Sequence, residues 1–359
     1  MKQILEGKRI LITGGTGSLG KVLTRRILSG EAGRPAKVII FSRDEAKQHF
    51  IRVEYENRIA ATDEIIYRNF QRVLEFRIGD VRDYASIAGV LRDCDIVVNA
   101  AAMKQVPTCE YFPNEAVRTN VGGAENIVRA IQEHTLLVET VVGVSTDKAC
   151  KPVNVMGMSK ALQERVFIQG NMRCPGTRFV CTRYGNVLAS RGSVIPLFHE
   201  QIRNGGPVTI TTPDMTRFLL TLDDAVDIVF AAIAEGRRGE TFVPRAPSAR
   251  IADIATALIG GRPITQVTTG IRPGEKIHEI MVSEEEAYRT VRRGRWYVIR
   301  PMLPEVANGG GETGEVAGCL EAAYSSNDSV MSTEETITML RARRLMLEDN
   351  AETGVELLR

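Results

Sequence analysis

Apolar residues come in unbroken runs along the first half of the chain. Residues 9–13, 37–42, 73–78, 96–100, 138–145 and 178–184 are largely apolar at successive positions, not alternate ones. Strands buried on both faces of a parallel sheet read this way. Between the runs the pattern stretches to a helical period in residues 18–29, 44–57, 83–91, 113–134 and 155–168. This alternation predicts an α/β protein with a Rossmann-like, doubly wound parallel sheet. After Tyr184 the segments shorten, punctuated by turns such as Asn204-Gly205-Gly206-Pro207 and Arg272-Pro273-Gly274. The helical stretch 221–234 is expected to pack back on the first unit. The expected division is therefore residues 1–185, with about 221–245, as the sheet domain. Residues 186–220 and 246–330 form a smaller C-terminal α/β substrate domain over the sheet's carboxyl edge, and 331–359 a charged helical tail. Residues 308–314 read as a flexible loop.

Composition narrows the class. The chain has 359 residues, 43% hydrophobic and 25% charged, enough for one large domain and one smaller one. Its 46 basic and 44 acidic residues leave a net charge of +2, which calls for neither nucleic acid nor an anionic membrane. The six cysteines contain no CxxC pair, and the four histidines have no ligand spacing, so reduced thiols and no metal site are expected. No signal peptide is read in Met1–Gly7, and no apolar run approaches the ~20 residues of a membrane helix. The expectation is a cytoplasmic protein without membrane insertion.

The first chemistry lies in Thr13-Gly14-Gly15-Thr16-Gly17-Ser18-Leu19-Gly20, between a strand and a helix. Gly14 permits the tight turn, Gly17 lets backbone approach a pyrophosphate, and Gly20 lets helix and strand pack closely. The helix start then offers free N–H groups, around Thr16, Ser18 and Leu19, and its positive dipole end. This predicts a dinucleotide site. The second strand ends in Ser42 and Arg43, where an acid would favour NAD; Arg43, helped by Lys47, suits a 2′-phosphate and favours NADP. Asp44 then reads as a helix cap. Asp80 and Val81 follow the third strand, where a carboxylate accepts from an adenine amino group or, equally, caps the next helix.

The second chemistry is Ser145-Thr146-Asp147-Lys148 at the end of the fifth strand, with Met156 and Lys160 on the helix that follows. A hydroxyl, a carboxyl and two amines there suit paired acid/base work. On spacing alone, a surface salt-bridge loop fits as well.

The chain resembles the extended short-chain dehydrogenase/reductases, and more narrowly the UDP-N-acetylglucosamine 4,6-dehydratases of capsule, O-antigen and flagellin-sugar biosynthesis. The motifs that carry the resemblance, besides those above, include Asn99-Ala100-Ala101-Ala102-Met103-Lys104, Thr182-Arg183-Tyr184-Gly185-Asn186-Val187, Ser190-Arg191-Gly192-Ser193-Val194, Met215-Thr216-Arg217-Phe218 and Arg272-Pro273-Gly274-Glu275-Lys276. Within that group it resembles the capsule-type members that also invert C5.

The resemblance implies hydride loss from C4, elimination of the C6 hydroxyl with Lys148 as base at C5 and Asp147 as acid, and hydride return to C6. Lysine needs a depressed pKa for this, which burial beside Lys160 and the cofactor would supply. The wider superfamily has Tyr-xxx-Lys where this chain has Met156-xxx-Lys160, and a thioether cannot exchange a proton. The base at the C4 hydroxyl is left between Lys160, acting directly or through Thr146, and Asp147. Ala100, Ala101 and Lys160 would contact NADP, resident and regenerated each turnover, with NAD the weaker alternative.

A UDP-sugar would meet Arg191, Arg217 and Arg272 as cationic clamps. Asn186 would contact the diphosphate and Glu275 the ribose, with Lys104 and Val194 nearer the sugar. Residues 187–196 would form a lid or wall. The resemblance also implies a homo-oligomer, a dimer or hexamer. Two alternatives stay open: a UDP-hexose 4-epimerase, and a non-catalytic NADP-binding regulatory protein.

Overall fold

A computed structural model describes residues 3–56, 70–188, 193–307 and 318–349. The predicted loop 308–314, Arg191 and the last ten residues of the tail lie outside the described residues.

The chain opens with six strands: β1 (Arg9–Thr13), β2 (Lys37–Ser42), β3 (Leu74–Ile78), β4 (Ile96–Asn99), β5 (Thr140–Val144) and β6 (Arg178–Thr182). They pair in parallel in the order β6-β5-β4-β1-β2-β3. Their unbroken apolar runs are explained by the two cores they face. Ile10, Ile12, Val38, Ile40, Val98 and Val142 enter one core with helices Ser18–Leu28 and Leu222–Glu235. Leu11, Ile39, Phe41, Val97 and Val141 enter the other, with helices Tyr84–Leu91, Gly123–Glu133 and Val155–Arg173. Successive residues alternate between the faces, and both faces are covered.

The remaining strands are β7 (Asn186–Val187), β8 (Val208–Ile210), β9 (Thr216–Leu220), β10 (Thr241–Pro244), β11 (Ser248–Arg250), β12 (Gln266–Thr268), β13 (Ile280–Val282), β14 (Thr290–Arg293), β15 (Trp296–Ile299) and β16 (Tyr324–Ser325). Three of them extend the main sheet. β10 pairs with β6 in parallel, and the β14–β15 hairpin adds two antiparallel strands, giving nine in all. Residues 290–299 thus belong to the first sheet, not to the smaller unit expected from sequence. The others form small sheets, β11-β9-β7, β12-β8 and β13-β16, partly around a third core built on Phe198, Leu219, Ile254 and Leu258. The tail joins this core: helix Thr333–Ala342 sends Leu340 into it.

One predicted helix is broken. Residues 113–134 form Pro113–Val117, a wider π turn at Arg118–Gly122, and Gly123–Glu133. Among the described residues no helix is long and apolar enough to cross a membrane, and no His/Cys/Asp/Glu group could hold a metal ion.

Candidate active site

Strand order reverses between β1 and β4, and a cleft of about 760 Å³ opens at the carboxyl ends there. The glycine turn forms one end. Gly14 has φ +65° and donates its amide to Phe41 O at 2.8 Å. A Cβ on Gly14 would stand 2.8 Å from the Ala101 backbone, and one on Gly20 would stand 2.4 Å from Gly15 O. Helix Ser18–Leu28 starts from Gly17 with no side-chain cap and no acid in its first turn. Its free N–H groups and positive dipole end therefore face the cleft. A close backbone cradle opening onto an uncapped helix start fits a pyrophosphate.

Thr16, Ser18, Leu19, Ser42, Arg43, Lys47, Asp80, Val81, Ala100 and Ala101 line the same cleft. Arg43 is largely exposed and lies 3.6 Å from Asp80. Burial alone would raise the Asp80 carboxyl, but hydrogen bonds from Arg82 outweigh it and hold the group below its ordinary value. The next helix is capped by Asp83, which accepts from Ala85 and Ser86 amides, so the capping alternative for Asp80 falls. Asp44 does cap: it accepts the Lys47 amide at 2.9 Å and pairs with the Lys47 amine.

The end of β5 delivers the acid/base cluster. Thr146 accepts the Lys148 amide at 3.4 Å, starting the single turn Asp147–Ala149, and donates its hydroxyl to Asp147 Oδ1 at 2.8 Å. Asp147 is fully buried, and its Oδ2 has no hydrogen-bond partner. That oxygen lies behind Gly185, where an added Cβ would stand 3.1 Å away. Thr146 and Lys148 line the cleft in front of it. This is not a surface salt-bridge loop. Lys148 Nζ lies 2.9 Å from Asn186 Oδ1, 3.1 Å from Asp147 Oδ1 and 3.3 Å from Glu279 Oε1.

The expected depression of the Lys148 amine is overturned. Burial lowers it, but Asp147 and Glu279 together raise it above the ordinary lysine value. Burial lowers the Lys104 and Lys276 amines, and brings Lys160 down to about 8, with its Nζ donating to Val144 O at 2.6 Å and Gln163 Oε1 at 2.5 Å. Met156 lines the cleft one turn before it, packed on Cys109 and Ala116.

A family model described as polysaccharide biosynthesis protein matches residues 10–301. The chain belongs to the polysaccharide biosynthesis protein family. It is 46% identical over 297 residues to UDP-glucose 4-epimerase of Rickettsia prowazekii (strain Madrid E), covering 81% of this chain and 82% of that protein. Pen from Bacillus thuringiensis has a TM-score of 0.83 at 30% identity, over 95% of this chain and 99% of the other. DesIV, a dTDP-glucose 4,6-dehydratase from Streptomyces venezuelae solved with NAD, shares the fold at TM-score 0.64 and 23% identity, over 75% of this chain and 86% of that one.

In this polysaccharide biosynthesis protein the cleft continues past the cluster to Lys104, Asn186, Arg217, Arg272 and Glu275. Arg217 is buried, its guanidinium donating to Thr216 O at 2.7 Å and Ile277 O at 3.0 Å. Asn154 Nδ2 donates to Gly274 O at 2.7 Å and ties the Arg272–Glu275 loop to the start of helix Val155–Arg173. Val194 is not among the lining residues; it begins helix Val194–Arg203 and leans on the third core, while its neighbour Ser193 reaches the cleft.

Tyr184 and Gly185, quoted from sequence only as part of a motif, also line the cleft, as does Glu279, which was not singled out from sequence. The signal for Glu279 was an acid in Ile277-His278-Glu279-Ile280-Met281-Val282, at a strand entry just past Arg272-Pro273-Gly274-Glu275-Lys276.

Proposed function

We propose that this protein is a nucleotide-sugar 4,6-dehydratase, acting on UDP-N-acetylglucosamine with inversion at C5 and using resident NADP. The observation that carries the reading is the buried Asp147 coupled to the cleft-lining Lys148, with Met156 one turn before Lys160. The dinucleotide, when bound, supplies hydride uptake from C4 and its return to C6. Met156 has no exchangeable proton, so Lys160, neutral in part near pH 8, takes the C4 hydroxyl proton, directly or through Thr146. The 4-ketone acidifies C5. In the resting cluster Lys148 is an ammonium and Asp147 a carboxylate; one proton moved along their 3.1 Å contact makes an amine and an acid. The amine removes the C5 proton. The acid protonates the departing C6 oxygen through Thr146, whose hydroxyl stands between Asp147 and the cleft, so that water leaves, and Lys148 returns a proton to C5 as the hydride reaches C6. Arg217 and Arg272 meet the diphosphate.

The name of the Rickettsia relative favours a second reading, a 4-epimerase. That reaction needs proton exchange at C4 alone and leaves the Asp147–Lys148 pair idle. Incubation with UDP-N-acetylglucosamine in deuterated water separates the two by NMR. A C6 methyl with deuterium at C5 is expected, and the C5 configuration reports inversion. A galacto product without deuterium overturns the dehydratase in favour of the epimerase, and an unchanged sugar overturns both. Lys148→Ala and Asp147→Asn should each abolish the methyl product while dinucleotide affinity stays within about twofold. Arg43 at the second strand's tip supports NADP; tighter NAD in a binding titration would overturn that choice.

Exposed Tyr111, Val117, Met158 and Leu162, on contacting helices, and Phe112 between two of them support assembly as a homo-oligomer. Sedimentation at a monomer's mass would refute this.

A further inference from the structure

We infer that Glu279 is the positioning residue of the acid/base cluster, completing with Asp147 and Asn186 a three-sided cradle, two hydrogen bonds and an ion pair, that holds the Lys148 side chain in place while its proton moves. The inference rests on the dehydratase reading for the use made of that proton, and on geometry alone for the cradle.

An ammonium has three protons to place and no lone pair. Around Lys148 Nζ there are two hydrogen-bond acceptors, Asn186 Oδ1 at 2.9 Å and Asp147 Oδ1 at 3.1 Å, and one ion-pair partner, Glu279 Oε1 at 3.3 Å. They come from three segments, at the ends of β5, β7 and β13. If one proton passes to Asp147, two N–H bonds remain; Asn186 accepts one, and the Glu279 carboxylate stands beside the amine to hold its direction. The amine then keeps its direction after losing its charge. With Asp147 alone as partner, the neutral side chain would be free to swing on its four-carbon stem.

Glu279 is built for a fixed position. It is 2% exposed. Its amide donates to Ser326 Oγ at 3.0 Å, and its carbonyl accepts the Ser326 amide at 2.8 Å. Ser326 Oγ in turn bonds Thr216 Oγ1 at 2.6 Å, which meets His278 Nδ1 at 2.8 Å. A carboxylate this buried needs cations, and its partners are Lys148 and Arg217, the latter at 3.8 Å from the same oxygen. Its other oxygen, Oε2, is buried without a partner, as is Asp147 Oδ2. The cluster therefore holds two carboxylates against two cations, and it stays balanced when a proton shifts from Lys148 to Asp147.

The charges facing Lys148 are Asp147 on its own turn, Glu279 before β13 and Arg217 on β9, with Lys276 on the preceding loop. Tyr184 and Lys160 stand further along the cleft wall. Burial and Arg217 pull the amine down; Asp147 and Glu279 push it up. Removing the Glu279 charge leaves one carboxylate against burial and Arg217, so the amine titrates at lower pH.

The test follows the Lys148 side chain directly, by NMR of protein labelled with 13C at lysine Cε, the resonance assigned with Lys148→Arg. In Glu279→Gln the Lys148 midpoint should fall by about one pH unit or more. Glu279→Asp keeps the charge but draws it back, and should shift the midpoint the same way by less; it serves if the glutamine variant does not fold. The pH profile of deuterium entry at C5 should move its acid limb down with the midpoint. An unshifted midpoint, or a rate reduced equally at every pH, overturns the inference. Absence of any C6 methyl from the wild-type protein overturns the dehydratase reading instead, and leaves the midpoint to decide Glu279.

Discussion

Gly185 has no room for a side chain between Phe218 and Asp147. A Cβ there would stand 2.8 Å from Phe218 Cβ, 3.1 Å from Asp147 Oδ2 and 3.2 Å from Met281 Cε. Gly185→Ala should therefore push β7 and Asn186 off the cluster. It should cost about 1–3 kcal/mol of stability in urea unfolding and lower turnover more than dinucleotide affinity. At this scale the sequence was legible where chemistry is local. The glycine turn and Thr146-Asp147-Lys148 are contiguous, and each could be read from one segment. Glu279 could not, because its partner lies across the cleft on another segment. The charge state of Lys148 was misjudged for the same reason: burial was foreseen, the second carboxylate was not.

The π turn at Arg118–Gly122 shows what an element adds. It interrupts a helix whose apolar pattern continues on both sides, so periodicity alone gave one helix over 113–134. The wider turn holds Asn120, fully buried, which accepts the Met103 amide at 2.8 Å and donates to Met103 O at 3.0 Å and Ser159 Oγ at 2.9 Å. One side chain thereby locks the loop after β4 to helix Val155–Arg173, which carries Met156 and Lys160. Asn120→Ala should strand two Met103 backbone groups, at about 1–3 kcal/mol each. It should also loosen both the Ala100–Ala101 wall and Lys160. The measurement is amide hydrogen exchange at Met103 together with thermal melting; unchanged protection there would remove Asn120 from this role.

Across the whole molecule, the sheet and the smaller layer are joined by a buried cross-link behind the cleft. Arg183, just after β6, donates to Glu164 at 2.7 and 3.1 Å, to Glu286 at 2.8 and 3.1 Å and to Met281 O at 2.7 Å. Burial would raise the Glu286 carboxyl, but Arg183 outweighs it and lowers the group to about 2 from an ordinary 4.5. A depressed acid stabilises the fold above its unfolded value, and that contribution is lost as pH falls from about 4.5 to about 2. Urea unfolding should show this loss in wild type and a flatter acid limb in Glu286→Gln. At pH 7 the variant should be weaker by about 3–5 kcal/mol. No sequence pattern announced the bracket, since Arg183 and Glu286 lie 103 positions apart. The doubly wound order of the first six strands was legible from their apolar runs; the return of 290–299 to that sheet was not.

That return matters during synthesis. When the ribosome has made β6, this strand (Arg178–Thr182) is the rim of a six-stranded sheet, with its outer hydrogen-bonding edge uncovered. Its cover, β10, is encoded only after β7, β8, β9 and two intervening helices, and the hairpin that closes the rim comes later still. A buried-type strand held open for that interval invites pairing with neighbouring nascent chains. Vectorial folding of this protein thus passes through a half-finished sheet whose sticky side is sealed from the chain's far end.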